Sequence, residues 1–241
     1  MNLLSGGFLV KAILFDMDNT LTNFIELKRK ASRAAAYAMV DAGLKMKKRE
    51  AARKLFYAYW KYGIDGNTAF SKFLKEETGK VDEHILNAGI GAYLRAKPKH
   101  IKPYPHAKRI LEVLKKKYKL GVITDAPCAK AKERLKLLGL LHMFDVIVTF
   151  RRGSMKKPHP LPFLRALELL HCKPNEVVMV GDSLPRDIAG AKRVGMIAVY
   201  AKYGEDREIK WETPTNVKAD FEILSIKELP KILEKIERTK K

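Results

Sequence analysis

Five short apolar runs rich in β-forming residues constrain this chain more than any other feature: Val10 to Phe15, Leu120 to Thr124, Val146 to Phe150, Val177 to Gly181 and Ile197 to Tyr200. Amphipathic segments with Leu and Ala at helical spacing follow or separate them, at His106 to Tyr118, Lys130 to Leu138, Pro160 to His171 and Asp187 to Val194. Runs of this length without polar alternation are strands buried on both faces, and strands that alternate with helices pair in parallel. The expected fold is therefore α/β, a doubly wound parallel sheet of the Rossmann-like kind. Phe221 to Leu224 adds a short edge strand before a charged helix that starts near Ser225.

One region breaks this rhythm. From Thr22 to Lys97 there is no strand run, only helical segments rich in Ala, Lys, Leu and aromatic residues, separated by Gly43, by Gly63 and Gly66, and by Gly79. A stretch of about 75 residues is far longer than an ordinary crossover. It reads as an inserted helical domain over residues 22–97, with residues 1–21 and 98–241 forming the α/β core. Pro98 to Pro105, with three prolines, is the expected return linker. Tyr57, Tyr59, Trp60, Tyr62 and Asn67 are candidates for substrate contact within the insert. An aromatic cluster in a small helical domain is first of all core material, however.

Composition narrows the function classes. Of 241 residues 46% are apolar and 31% charged, enough apolar surface for a folded chain. Cys128 and Cys172 have no metal-ligand spacing and are too few for a disulfide framework, so they read as free thiols of a reducing compartment, the cytoplasm. Phe8 to Phe15 is too short to span a bilayer, and neither a signal peptide nor a membrane anchor is expected. Lys and Arg number 48 against 27 Asp and Glu, a net charge of +21 that attracts anions, nucleic acid and phosphorylated metabolites alike. The basic residues are spread along helical stretches, and no compact aromatic-and-basic RNA motif appears. Gln is absent and Lys abundant, as in heat-adapted proteins with charged, solvated surfaces.

Ligands of an open parallel sheet bind beyond the carboxyl ends of its strands. Directly behind the runs stand Asp16-Met17-Asp18-Asn19-Thr20, Thr124-Asp125, Lys156-Lys157-Pro158 and Gly181-Asp182-Ser183-Leu184-Pro185-Arg186-Asp187. Carboxylates crowded on one rim repel one another unless a cation neutralises them, and hard oxygen ligands select Mg²⁺. Such a metal would bridge a carboxylate and a phosphate oxygen, while Lys157 and the Thr124 hydroxyl grip the remaining oxygens. Taken singly, Thr124 reads as a strand end, Lys157 as a surface charge and Asp187 as the N-cap of the next helix. All four groups, in order and each behind a strand, do not.

This set resembles the four motifs of the haloacid dehalogenase superfamily: D-x-D-x-T at Asp16, Asp18 and Thr20, the lone Thr124, Lys157 before proline, and G-D-x-x-x-x-D from Gly181 to Asp187. The resemblance covers nearly the whole chain. It implies that Asp16 is the nucleophile that forms an aspartyl-phosphate and that Asp18 is the general acid and base. Thr124 and the backbone amide of Asp125 would hold the phosphoryl group, and Lys157 would stabilise nucleophile and phosphoryl charge. Asp16, the carbonyl of Asp18, Asp182 and Asp187 would bind Mg²⁺, Asp187 through water if not directly. An insert directly after the first motif resembles the mobile cap of family members that act on small molecules.

The implied activity is hydrolysis of a small, anionic phosphate ester by a monomer or homodimer. The group most resembled is the archaeal phosphatases of this superfamily that act on compounds such as glyceraldehyde 3-phosphate, with phosphoglycolate and other sugar phosphates fitting equally well. Asp125 departs from the Asn or Ser of many relatives, and a further carboxylate beside a phosphate is unfavourable unless it turns away or pairs with a cation. Arg186 is also unusual, as a substrate contact or a solvent-facing charge. A phosphomutase shares all four motifs. A 2-haloacid dehalogenase has no leaving alcohol to protonate and no use for the acids of the last motif. A nucleic-acid-binding protein is the non-enzymatic rival, suggested by net charge alone.

Overall fold

The computed structural model describes residues 9–62, 68–205 and 215–239. Gly63, Gly66 and Asn67, singled out above, lie outside the described residues. The chain divides into two compact units, residues 1–23 with 102–241, and residues 24–101.

The larger unit is built on a six-stranded sheet. Its strands are β1 (Ala12–Phe15), β2 (Lys119–Pro127), β3 (Val146–Phe150), β4 (Val177–Gly181), β5 (Ile197–Ala201) and β6 (Phe221–Ile223), in the order β3-β2-β1-β4-β5-β6. Every pairing is parallel. β1, β4 and β5 are buried at every position, the physical reason for their unbroken apolar runs. The sequence order reverses between β1 and β4, so the loops behind these two strands diverge and open a crevice.

The helices of this unit are α5 (Ala107–Lys115), α6 (Cys128–Leu137), α7 (Pro160–Leu170), α8 (Ala189–Arg193) and α9 (Leu229–Thr239). Phe163, Ala166, Leu167 and Leu170 of α7 pack with Ala12, Leu14, Val177 and Met179 of the sheet, fixing one covered face. The segment expected to be one helix from Asp187 to Val194 is instead a single π-type turn, Leu184–Ile188, followed by the five-residue α8. Ser183 caps this turn, its hydroxyl accepting from the Arg186 N–H at 3.2 Å. The N-cap role considered for Asp187 is thereby corrected: Asp187 sits inside the turn, and its carboxylate accepts from the Ser183 N–H at 3.1 Å.

The smaller unit holds four helices among the described residues: α1 (Phe24–Asp41), α2 (Lys48–Tyr62), α3 (Thr68–Thr78) and α4 (Glu83–His100). Gly43 and Gly79 both have positive φ, 114° and 76°, at the breaks after α1 and α3 where only glycine adopts that backbone cheaply. Its core joins Ala31, Ala35 and Met39 of α1 to Leu55 and Tyr59 of α2, Phe70 and Phe73 of α3, and Tyr93 of α4. Tyr59 is thus a core residue, stacked on Tyr93 at 5.5 Å, whereas Tyr57 is exposed. Trp60 packs edge-on against Phe56, and the Tyr62 hydroxyl meets Glu76.

Pro98 does not open a linker as expected. It lies within α4, which ends at His100. So near a helix end, one missing ladder hydrogen bond is tolerated. The return to the sheet is made instead by residues 102–105, where Thr22 Oγ1 donates to the Lys102 carbonyl at 2.7 Å and the Tyr104 N–H to the Leu21 carbonyl at 2.9 Å. No helix among the described residues is long and apolar enough to cross a membrane.

Candidate active site

Strand register decides which residues meet. Phe15 is level with Val122 of β2 and with Val180 of β4, so the next residue, Asp16, emerges beside Ile123 and Gly181 at the carboxyl rim. Its own N–H donates to the Val180 carbonyl at 2.9 Å, which keeps it in line with the strand. Asp182 follows Gly181 on the other side of the crevice. The π-type turn then folds Asp187 back over the end of β4, where a Cβ on residue 181 would overlap the Asp187 side chain. Glycine is required at position 181 for that approach.

Asp16, Asp182 and Asp187 each present a carboxylate oxygen within 4.8 Å of the others, and all three are buried. Lys157, behind β3, reaches into the group. Its ammonium pairs with Asp16, lies 2.6 Å from Asp187 Oδ1 and donates to the Ile123 carbonyl at 3.1 Å. When ionised, the three carboxylates and the ammonium carry a net charge of −2 in a buried site. Burial, opposed by Lys157 and reinforced by the charges of Asp187 and Asp18, pushes the Asp16 carboxyl up to about 7. Burial and the charges of Asp16 and Asp187 likewise push Asp182 well above the usual carboxylate range. For Lys157 burial alone would lower the pKa, but Asp16, Asp187 and Asp125 outweigh it and the ammonium is held more firmly. A group of hard oxygen donors with a charge deficit of two fits a small divalent cation.

The remaining expected residues surround this cluster. Thr124 is buried, its hydroxyl accepting from the Ala126 N–H at 3.2 Å. Asp125 turns its carboxylate toward the Lys157 N–H, at 3.0 Å, and lies 3.9 Å from the Arg186 guanidinium, so its charge is directed onto donors. Arg186 also donates from Nε to the Ser183 hydroxyl at 3.1 Å. The Asp18 carboxylate stands apart from the three clustered acids. It meets Arg134 of α6, whose Nη1 is 2.5 Å from Asp18 Oδ2.

Tyr203 and Arg134 were not identified from sequence, and Thr20 was named there only as the last residue of the first motif. Thr20 donates from Oγ1 to Asp182 at 3.3 Å. Tyr203, just beyond β5, donates to the Thr20 carbonyl at 2.7 Å and packs edge-on against Tyr104. Arg134 occupies a position of α6 where helical spacing from Ala131, Leu135 and Leu138 calls for an apolar residue. An arginine on the buried stripe of a helix was the available signal for it.

Comparison with known proteins gives this geometry a family. A family model described as haloacid dehalogenase-like hydrolase matches residues 13–201, from the first strand through β5. The chain belongs to the haloacid dehalogenase-like hydrolases. Glyceraldehyde 3-phosphate phosphatase of Methanocaldococcus jannaschii is 34% identical over 95% of this chain and 100% of its own length. The enzyme of the same name from Methanopyrus kandleri is 33% identical over 92% and 96%. The crystal structure of a phosphatase of this superfamily from Thermococcus onnurineus superposes with a TM-score of 0.64 at 34% identity, covering 92% of this chain and 97% of that one. The expected superfamily and the doubly wound parallel fold of this haloacid dehalogenase-like hydrolase are therefore borne out.

Proposed function

We propose that this phosphoric monoester hydrolase cleaves a small phosphorylated metabolite by way of an aspartyl-phosphate on Asp16, with Mg²⁺ as its cofactor. Glyceraldehyde 3-phosphate is the first candidate substrate, supported by the end-to-end similarity to phosphatases of that name. Phosphoglycolate and other sugar phosphates complete the panel. The observation that carries the reading is the position of the Asp16 carboxylate, paired with Lys157 and within 4.8 Å of Asp182 and Asp187 at the sheet's switch point.

Asp16, Asp182 and Asp187, with the Asp18 carbonyl, would hold the metal, which when bound supplies positive charge against the phosphoryl oxygens. In the first step a carboxylate oxygen of Asp16 bonds to phosphorus as the bond from phosphorus to the alcohol oxygen breaks, and Asp18 gives that oxygen its proton. In the second step Asp18 takes a proton from water as the water oxygen bonds to phosphorus and the Asp16 carboxylate departs. Lys157 and the Thr124 hydroxyl hold phosphoryl oxygens through both steps, with the backbone amide of Asp125. Asp187 keeps its place through the Ser183 N–H. The inserted helical unit is assigned the role of a cap that excludes water and selects small substrates. Two free cysteines suit a reducing compartment, the cytoplasm.

The test is phosphate release from a panel of small phosphate esters with and without Mg²⁺, with Asp16→Asn as control. Release that needs both Mg²⁺ and Asp16 supports the reading. Release by Asp16→Asn at the native rate, or none from any ester by the native protein, refutes it. Transfer of phosphate within a sugar, without release, would mark a mutase instead.

A further inference from the structure

Arg134 is the anomaly of α6. The buried stripe of this helix is Ala131, Arg134, Leu135 and Leu138, and Arg134 is only 2% exposed. Taking a guanidinium out of water costs several kcal/mol even when it is paired, and an apolar residue of similar volume would hold such a position at least as well. Stability therefore does not account for an arginine here. Its charge meets Asp18 across 116 residues of sequence, with Nη1 at 2.5 Å from Oδ2.

Asp18 itself stands on a constrained loop. Asn19 has φ of 63°, a left-handed conformation that Asn tolerates better than most residues, and its N–H donates to the Thr22 carbonyl at 2.7 Å. The backbone around Asp18 is thus set by the loop, while its carboxylate still has a side-chain torsion to fix. A guanidinium on one oxygen restrains it, because a short charge-assisted hydrogen bond holds Oδ2 in one direction.

We propose that Arg134 is a positioning residue for Asp18: by holding Oδ2 it aims Oδ1 to pass a proton to the leaving alcohol. The inference rests on the general-acid reading of Asp18 given above. Arg134 neither gains nor loses a proton. In the first step the proton leaves Asp18 Oδ1 for the alcohol oxygen, whose bonding pair comes from the broken bond to phosphorus. The Asp18 carboxylate so formed stays against the guanidinium.

Esters with different leaving groups test this. An aliphatic alkoxide needs a proton as it departs, whereas p-nitrophenolate departs without one. Single-turnover release of the alcohol, which reports only the first step, is measured for glyceraldehyde 3-phosphate (or the best aliphatic ester found in the panel) and for p-nitrophenyl phosphate. Native protein, Asp18→Asn, Arg134→Met, Arg134→Lys and the double variant Asp18→Asn/Arg134→Met are compared. Asp18→Asn is expected to slow the aliphatic ester by about a hundredfold or more and the nitrophenyl ester far less. Arg134→Met is expected to show the same selectivity with a loss of roughly ten- to a hundredfold, with KM for both esters within about twofold of native. Arg134→Lys, which keeps the charge without the fork, is expected to recover part of that loss. The double variant is expected to be no slower than Asp18→Asn alone, since the two residues act as one unit.

Equal slowing of both esters by the Arg134 variants, or an undiminished Arg134 effect in the Asp18→Asn background, would overturn the inference and leave Asp18 as the acid. An Asp18→Asn variant with no preference between leaving groups would overturn the general-acid reading itself, and the inference with it. Where Arg134→Met does not fold, Arg134→Lys carries the same comparison alone.

Discussion

Binding of Mg²⁺ should stabilise the α/β unit strongly at pH 8 and hardly at all at pH 5, and both figures follow from the charge of the site. Asp16, Asp182, Asp187 and Lys157 sum to −2 when ionised. Without a cation, Asp16 retains its proton up to about pH 7. A metal present at a hundred times its dissociation constant adds about 2.7 kcal/mol to the folded state. For a chain of this length that raises the melting temperature by about 5–11 °C. At pH 5 the ion must first displace the proton of Asp16. Two pH units below its pKa this costs about 2.7 kcal/mol, roughly a hundredfold in affinity. The same Mg²⁺ concentration then stands near the dissociation constant, and the gain falls to about 0.4 kcal/mol, an increase of about 1–2 °C. The raised pKa of Asp182 widens the contrast in the same direction. The assay is thermal unfolding at the two pH values with EDTA or Mg²⁺, with Asp187→Asn beside the native protein. No shift at pH 8, or equal shifts at both pH values, would show that the acid cluster is not a proton-linked metal site.

Other consequences follow from the same contacts. Without metal, the raised pKa of Asp16 contributes stability that is present below the unfolded value of 3.8 and lost as pH rises through about 7. In EDTA the native protein should therefore lose stability relative to Asp16→Asn over that window, and a flat difference in urea midpoints would contradict it. Lys157→Met leaves the buried acids without their ammonium and should destabilise the metal-free protein by about 3–5 kcal/mol at pH 8, less at pH 5 where Asp16 is protonated. Urea unfolding at the two pH values reads this, and an equal loss at both would refute it. Gly181→Ala should cost about 1–3 kcal/mol and abolish the Mg²⁺-linked shift, because the added methyl group displaces Asp187. Tyr203→Phe removes the 2.7 Å hydrogen bond to the Thr20 carbonyl and should lower stability by about 1 kcal/mol in the same assay.

The strands were legible because a parallel sheet covered on both faces demands unbroken apolar runs, and β3 and β4 begin and end where those runs do. The candidate site was legible for a related reason: its acids and Lys157 stand directly behind strands, and strand register brings such positions to one rim. Side-chain direction was not legible. Asp187 could be counted as a member of the last motif, but the π-type turn that aims it at Asp182 depends on a hydrogen bond from the Ser183 N–H, which no residue pattern announces. Arg134 was lost among many basic residues, because its partner Asp18 lies 116 positions away and only the folded sheet brings the two together. Pro98 was misleading for the opposite reason, as its meaning depends on how far the helix around it continues.

The distribution of buried charge ties these observations together. Among the described residues the buried charged side chains are Asp16, Lys28, Arg134, Lys157, Asp182 and Asp187. Lys28 belongs to the helical unit, where Tyr93 accepts from its ammonium at 2.8 Å and the Tyr59 ring lies 4.7 Å away. The other five belong to the α/β unit, four in one cluster and Arg134 against Asp18, between Asp16 and the rest of the first motif. Each buried charge opposes folding unless it is matched, and a sheet core built for stability alone would carry none. Lys157 reaches in from behind β3 and Arg134 from α6, so their charged ends gather at the carboxyl rim of the sheet, and the unit accepts this cost beside the loops that diverge behind β1 and β4. On the proposed reading, the negative excess there would hold a divalent cation, whose own charge would draw in the anionic ester. The same reasoning separates Arg134 from the exposed lysines and arginines: those set the net charge of +21, whereas Arg134 acts on one carboxylate.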